Sequence, residues 1–152
     1  MFDDLKGKVV VVTGGVTGIG GAASLGFAKT GSKVFAQYLG GGDELKTIEA
    51  AGITTMKLDL TTQNAPQTLI DAAMKKFGRI DVLVNNAGSL VARINLDALT
   101  DDFIDQVFDL NCRQLVHCCR IGAEVMKAQK SGNIINVTSI AARSGGSPGA
   151  SV

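Results

Sequence analysis

The sequence lacks a dominant charge of either sign. Fifteen lysine and arginine residues are balanced by fourteen aspartate and glutamate residues, which leaves a formal net charge of +1 at pH 7. Binding to nucleic acid or to an anionic membrane surface depends on a clear excess of positive charge. We therefore expect neither nucleic acid nor a membrane as a partner.

Long apolar segments are also absent from the sequence. Its apolar runs are short, as in Val9 to Val12, whereas a helix that crosses a bilayer needs about 20 apolar residues. The N-terminus carries Asp3 and Asp4, where a secretory signal would be basic and then apolar. These features predict a soluble, cytoplasmic protein, and the length of 152 residues fits one domain with a sizeable core.

Cysteine is scarce and confined to one stretch that the pattern predicts to be helical. The three cysteines are Cys112, Cys118 and Cys119, with His117 beside them. A metal or redox site is one interpretation, but Cys-x-x-Cys and a fourth ligand at matching spacing are both missing. Buried cysteines commonly pack as small apolar side chains, so we predict no metal site.

What the sequence does contain is an alternation of β-branched runs with helical patterns. The pattern predicts five strands, at Lys8 to Thr13, Lys33 to Tyr38, Thr54 to Leu58, Ile80 to Val84 and Asn133 to Val137. It predicts four helices between them, at Ile19 to Lys29, Asp43 to Ala51, Pro66 to Phe77 and Asp101 to about Gln129. The last helix should begin at a Thr100 cap and turn inward Phe103, Val107, Leu110, Leu115, Cys118 and Val125. The alternation predicts an α/β fold, a Rossmann-like doubly wound parallel sheet with helices on both faces.

A glycine-rich loop joins the first predicted strand to the first helix. Its sequence is Thr13-Gly14-Gly15-Val16-Thr17-Gly18-Ile19-Gly20. Glycines at this place let the backbone approach a pyrophosphate, and the helix N-terminus offers free N–H groups and a partial positive charge. A tight turn without a ligand is the alternative, but the position between strand and helix favours a dinucleotide site.

The spacing Thr-Gly-x-x-x-Gly-Ile-Gly resembles the cofactor motif of the short-chain dehydrogenase/reductase family, classical type. Further motifs of that family follow in order: Asp59, Asn85-Asn86-Ala87-Gly88, Asn111, and Asn136-Val137-Thr138-Ser139. The resemblance implies an NAD(P)-dependent oxidoreductase that interconverts an alcohol and a carbonyl by hydride transfer. It also implies a small-molecule substrate and, as is usual in the family, assembly as a homo-oligomer.

The same resemblance assigns roles to individual residues. Asn111 would support a proton relay through water, and Ser139 would orient the substrate carbonyl. Asp59 would contact the adenine, although it could instead cap a turn. The implied cofactor-binding residues are Thr13, Gly14, Thr17, Gly18, Ile19, Gly20, Tyr38, Asp59, Leu60, Asn86, Ala87 and Gly88.

The choice between NAD and NADP depends on residues near the end of the second strand. In the resembled family an acid there usually binds the ribose hydroxyls and favours NAD. This chain has Tyr38 or Leu39 at that place, and Thr17 occupies the loop position where a basic residue would favour NADP. The missing acid alone slightly favours NADP.

A Tyr-x-x-x-Lys motif follows the serine by a little over a dozen residues in the resembled family, where it moves and tunes the proton. Here the only tyrosine is Tyr38, and no lysine follows Lys130. We therefore expect residues 1–152 to form an NAD(P)-binding Rossmann domain that is incomplete at the C-terminus, truncated before that motif and inactive by itself. The fifth strand would be an uncovered edge, so we also expect poor stability. A non-catalytic dinucleotide-binding or interaction module is the alternative function, and an inert fragment is a third.

Overall fold

The structure is a computed structural model that describes residues 3–145, within the predicted domain of residues 1–152. Its five strands are β1 (Val9–Val12), β2 (Lys33–Tyr38), β3 (Thr54–Lys57), β4 (Val82–Asn85) and β5 (Asn133–Asn136). Its α-helices are α1 (Gly18–Lys29), α2 (Asp43–Ala50), α3 (Ala65–Phe77), α4 (Asp101–Phe108), α5 (Gln114–Gln129) and α6 (Ala141–Ser144). Short 3-10 turns lie at Asp3–Leu5 and Leu96–Ala98, and a π-helical segment, Asp109–Arg113, joins α4 to α5.

All five strands are parallel and lie in the order β3-β2-β1-β4-β5. The predicted Rossmann-like sheet is therefore confirmed. The chain runs outward from β1 to β3 on one side and crosses back to β4 on the other. In open sheets of this kind ligands bind where the strand order reverses, beyond the carboxyl ends of the central strands. That point here lies between β1 and β4.

The sheet is covered by an apolar cluster on each face. Its central strand, Val9–Val12, is at most 1% exposed, as expected for a strand covered on both sides. The cluster on one face joins the sheet to α3 and α5 through residues such as Leu69 and Ile121. The cluster on the other face includes Ile48 of α2 and partly buried residues of α1. The helices therefore cover both faces of the sheet.

The long helix has the predicted extent, and Thr100 caps it by accepting a hydrogen bond from the Phe103 N–H at 3.2 Å. The predicted inner face agrees with the structure in part. Phe103, Val107, Leu110 and Leu115 are only partly buried, Val125 packs at the edge of the core and Cys118 alone is fully buried. The interior positions of the second half belong to Gln114, Cys118, Ile121, Gly122 and Met126.

Strand β5 lies at the edge of the sheet. Within residues 3–145 it pairs with β4 alone, and its Ile135 side chain is 45% exposed. Beyond it, Ile140 is also exposed.

In the same described range, no helix is long and apolar enough to cross a membrane.

Candidate dinucleotide and active site

The carboxyl ends of β1 and β4 are joined by reciprocal hydrogen bonds between Thr13 and Asn86. The buried Thr13 Oγ1 accepts from the backbone N–H groups of Asn86 and Ala87, both at 2.9 Å. In return, Asn86 Nδ2 donates to the carbonyls of Thr13 at 3.0 Å and Gly14 at 3.2 Å. The glycine motif and the Asn-Asn-Ala-Gly motif thus meet at the switch point of the sheet.

Gly20 is required by the close packing of α1 on this loop. A Cβ at Gly20 would lie 2.0 Å from the Gly14 carbonyl oxygen and 2.4 Å from Asn86 Nδ2. No real Cβ approaches backbone so closely, so any larger residue would push α1 away from the strand ends.

Gln37 also shapes the loop, and sequence reasoning missed it. Its buried Oε1 accepts from the Gly14 N–H at 2.8 Å, while its Nε2 donates to the Leu58 carbonyl at 2.5 Å. It therefore ties the ends of β2 and β3 to the glycine loop. The available signal was a lone amide at the end of an otherwise apolar strand.

The N-terminus of α1 is open to solvent. Its N-cap residue Thr17 has extended backbone and makes no side-chain cap bond, and Ile19 is 70% exposed. Gly18 has a φ of +53°, and a Cβ there would meet nothing within 4 Å. The first N–H groups of a helix have no intrahelical acceptor and carry partial positive charge. This open, glycine-lined helix start fits the pyrophosphate of a dinucleotide.

Beyond β3, the structure places Asp59 in a turn. Its Oδ1 accepts from the Thr61 N–H at 2.9 Å and from Thr61 Oγ1 at 2.7 Å, which is the capping role given above as the alternative. The capping bonds leave Oδ2 for a ligand. The Leu60 side chain is buried in the core, so a coenzyme could contact only its backbone. Tyr38 ends β2 and packs against the core beneath α2.

Asn111 lies in the middle of the π segment and binds the loop that follows β4. Its Oδ1 accepts from the Ser89 N–H at 2.9 Å. Its Nδ2 donates to the carbonyls of Ser89 at 2.9 Å and of Val107 at 3.0 Å. Gly88 fits beside it, since a Cβ there would lie 2.8 Å from Asn111 Oδ1. One amide hydrogen and the amide oxygen thus hold the Ser89 backbone, and the second amide hydrogen bonds Val107 within the helix.

Ser139 is exposed just beyond β5, at the same end of the sheet as the other motifs. Its Oγ accepts from the Ala141 N–H at 3.2 Å, so it precedes the short helix α6. The hydroxyl hydrogen is not used in that bond. Ser139 can therefore still donate to a substrate oxygen.

A second connection lies beneath these residues, between β4, β5 and α5. Asn85 is buried, and its Nδ2 donates to Asn136 Oδ1 at 2.9 Å and to Cys119 Sγ at 3.2 Å. Cys119 Sγ in turn lies 3.5 Å from Asn136 Oδ1. Asn85 Oδ1 has no hydrogen-bond partner among the described residues. The first asparagine of the Asn-Asn motif therefore aligns the strand that leads to Ser139.

The cysteines do not assemble into a cluster. Burial, with a smaller effect from Cys119, raises the pKa of Cys118 to about 12, so Cys118 stays a thiol packed in the core. Cys112 is exposed. Residues 3–145 contain no group of three His, Cys, Asp or Glu residues that could hold a metal ion.

A cavity of about 320 Å³ lies to one side, between the start of α3 and the first half of α5. Leu60 is the predicted site residue that reaches it. Two of its cations already have acidic partners, because Arg113 pairs with Asp109, and Arg120 lies 3.6 Å from Glu124. No residue of the glycine loop lines this cavity.

Known proteins match this arrangement. The family model described as short chain dehydrogenase matches residues 8–151. An uncharacterized oxidoreductase, YgcW, of Escherichia coli (strain K12) is 36% identical over 149 residues, which are 95% of this chain and 57% of that protein. A 3-oxoacyl-[acyl-carrier-protein] reductase of Synechocystis sp. is 36% identical over 147 residues, covering 93% of this chain and 59% of that protein.

A solved structure gives the same result. The NADH-dependent reductase A1-R', crystallised in complex with NAD, is 35% identical with a TM-score of 0.88, over 99% of this chain and 67% of that one. The chain spans a little over half the length of the curated relatives named above. Because the family model covers nearly all of its residues, the chain belongs to the short-chain dehydrogenase/reductase family of oxidoreductases.

Proposed function

We propose that this chain supplies the dinucleotide-binding part of an NAD(P)-dependent oxidoreductase that interconverts an alcohol and a carbonyl on a small-molecule substrate. The observation that carries the proposal is the open, glycine-lined start of α1, held against the end of β4 by Thr13 and Asn86. We further propose a cytoplasmic location and, from family membership, assembly as a homo-oligomer.

The residues divide into groups that would hold different parts of the dinucleotide. The backbone of Gly14 and Gly18 to Gly20 would hold the pyrophosphate at the start of α1, with Thr17 beside it. The free Oδ2 of Asp59 and the backbone of Leu60 would hold the adenine. Asn86, Ala87 and Gly88 would line the nicotinamide end, next to the Ser89 backbone that Asn111 positions. When bound, the nicotinamide ring supplies or accepts a hydride.

Two side chains of this chain would then act near the substrate. The Ser139 hydroxyl would donate to the substrate oxygen and orient the carbonyl, because its hydrogen is not used in the bond from Ala141. Asn111 would maintain the shape of the site, because its amide holds the Ser89 backbone on both sides. Removal of a positioned proton donor costs about 10²–10⁴ in rate, and Tyr38 is the only tyrosine in residues 1–152. We therefore propose that this polypeptide alone binds the coenzyme without turnover.

A second candidate function is a binding module that holds a dinucleotide without catalysis, which the open start of α1 beside Thr13 and Asn86 supports equally. The two candidates share the coenzyme site and differ in chemistry. Turnover of a carbonyl substrate by the 152-residue polypeptide with NADH or NADPH would contradict both the module and the proposed inactivity.

Coenzyme binding is tested with a charge placed at the start of α1. Gly18→Asp should abolish binding of NADH and NADPH, because it sets a carboxylate where the pyrophosphate would lie. Gly52→Asp is the matched control, since Gly52 also has a positive φ, of +76°, with nothing within 4 Å, and lies after α2. Titration followed by nicotinamide fluorescence measures both. Equal binding by the two variants would refute the proposed site.

A further inference from the structure

The chain that follows β2 brings the start of α2 close to the glycine loop. Leu39 and three glycines, Gly40 to Gly42, separate β2 from α2. A Cβ at Gly41 would lie 3.1 Å from Val16 Cγ1 and 3.7 Å from Tyr38 Cδ2. The small residues therefore let this segment pack tightly between the end of β2 and the loop that would hold the pyrophosphate.

The first turn of α2 adds negative charge at this place. Asp43 and Glu44 are both acidic, but they are used differently. Asp43 pairs with Lys46 at 3.0 Å across the exposed surface of α2. Glu44 has no ion-pair partner among the described residues, and its Oε2 lies 3.4 Å from the Cβ position of Gly42. Its carboxylate is thus turned back over the glycine segment.

Positive charge is missing from the same region. Residues 13–20 and 38–45 contain no lysine or arginine. Lys46 is engaged by Asp43. Lys57 lies opposite Tyr38 in the register of β2 and β3 and is exposed. It is therefore the cation whose contribution to binding of a ribose phosphate has to be tested. A phosphate on the ribose needs cationic partners, whereas free ribose hydroxyls need an acceptor.

We propose that Glu44 determines coenzyme specificity, by accepting hydrogen bonds from the ribose hydroxyls of NAD and repelling the 2′-phosphate of NADP. It takes the role of the acid that the sequence lacks at Tyr38 and Leu39. The inference rests on the proposed function, since it concerns the same coenzyme site. It replaces the slight preference for NADP, which depended on the missing acid alone, with a preference for NAD.

The test is a pair of fluorescence titrations, with NADH and with NADPH, at low ionic strength. The chain has no tryptophan, so nicotinamide emission is measured without tryptophan background. The wild-type chain should bind NADH at least about tenfold more tightly than NADPH. Glu44→Gln should reduce that ratio by about fivefold, the effect of one neighbouring unit charge in water.

Two further variants make the result specific. Asp71→Asn removes an exposed carboxylate from α3, on the other face of the sheet, and should leave the ratio unchanged. Lys57→Gln should also leave it unchanged. Tighter binding of NADPH, its loss in Lys57→Gln, or an unchanged ratio in Glu44→Gln would each overturn the inference while leaving the dinucleotide site intact. Failure of both coenzymes to bind would overturn the proposed function, and this inference with it.

Discussion

Thr13 and Asn86 lie 73 residues apart and hold each other through backbone and side chain. The Thr13 hydroxyl accepts from the Asn86 N–H at 2.9 Å, and the Asn86 amide donates to the Thr13 carbonyl at 3.0 Å. The two residues directly follow β1 and β4, so these hydrogen bonds join the two strand ends at the switch point of the sheet. The glycine loop and the Asn-Asn-Ala-Gly motif are therefore one structural unit.

Replacement of the Thr13 hydroxyl should destabilise the fold strongly. Thr13→Val keeps the shape but leaves the N–H groups of Asn86 and Ala87 without their acceptor. Each unsatisfied buried donor costs about 1–3 kcal/mol, so we expect a loss of about 2–4 kcal/mol in the free energy of unfolding by urea denaturation. Thr13→Ser retains the oxygen and should lose less than half as much. Equal stability of Thr13→Val and wild type would show that these bonds contribute nothing.

Acid should weaken the fold through Asp81. This buried carboxylate accepts from the Val9 N–H at 2.9 Å and binds Arg79 at 2.7 Å. Burial by itself raises the pKa of Asp81, but the bonds from Arg79 and Val9 and the charges of Arg79 and Lys8 outweigh it and lower the pKa below its ordinary value. The unfolded chain then takes up the proton first as the pH falls. The stabilisation is complete above the unfolded pKa of about 3.9 and is lost below it.

The measurement is the free energy of unfolding between about pH 6 and pH 2.5. We expect Asp81→Asn to be less stable than wild type at neutral pH. Its free energy of unfolding should also decrease less steeply than that of wild type as the pH falls. Asp71→Asn, at an exposed site on α3, is the control and should keep the wild-type slope. If the free energy of unfolding of Asp81→Asn depends on pH as steeply as that of wild type, other carboxylates cause the acid sensitivity.

Asn111 should control the local stability of the loop after β4. Asn111→Leu removes the acceptor for the Ser89 N–H and the donor to the Ser89 carbonyl. The prediction is a global loss of about 1–3 kcal/mol together with faster hydrogen exchange at the Ser89 amide. Gln106→Leu, an exposed substitution on α4, should leave that amide protected. Unchanged protection of Ser89 in Asn111→Leu would contradict the positioning role.

The order and type of the main elements could be predicted because each has a strong local pattern. The run Val9 to Val12 is too short and too β-branched for a helix, and the spacing of Leu69, Ile70 and Ala73 fits α3. The site motifs could be placed for a similar reason. Parallel strands bring all their carboxyl ends to one edge, so residues that follow different strands must meet there.

The parts that failed depend on contacts between distant residues. The π segment exists where Asn111 reaches the Ser89 backbone, 22 positions earlier in the chain, and no local pattern encodes that pairing. The buried Gln114 donates to the Ala87 carbonyl, 27 positions away. A polar residue on a helix is ordinarily assigned to the surface, so the burial of Gln114 was not predicted.

Val91 should be a site where glycine increases stability. It has a φ of +63°, in the left-handed region that β-branched residues rarely adopt. The strain is held locally, because the Ala92 N–H donates to the Leu90 carbonyl at 2.8 Å and the Val91 N–H donates to Ser89 Oγ at 3.3 Å. Such backbone strain costs about 1–3 kcal/mol. Glycine relieves the strain but lowers stability by roughly 0.5–1 kcal/mol, because it loses more conformational freedom on folding. Val91→Gly should therefore raise the free energy of unfolding by about 1 kcal/mol, measured by urea denaturation beside Ala92→Gly, which has no positive φ to relieve and should not gain. A loss of stability in Val91→Gly would mean that the Val91 side chain contributes more to the fold than its backbone strain removes.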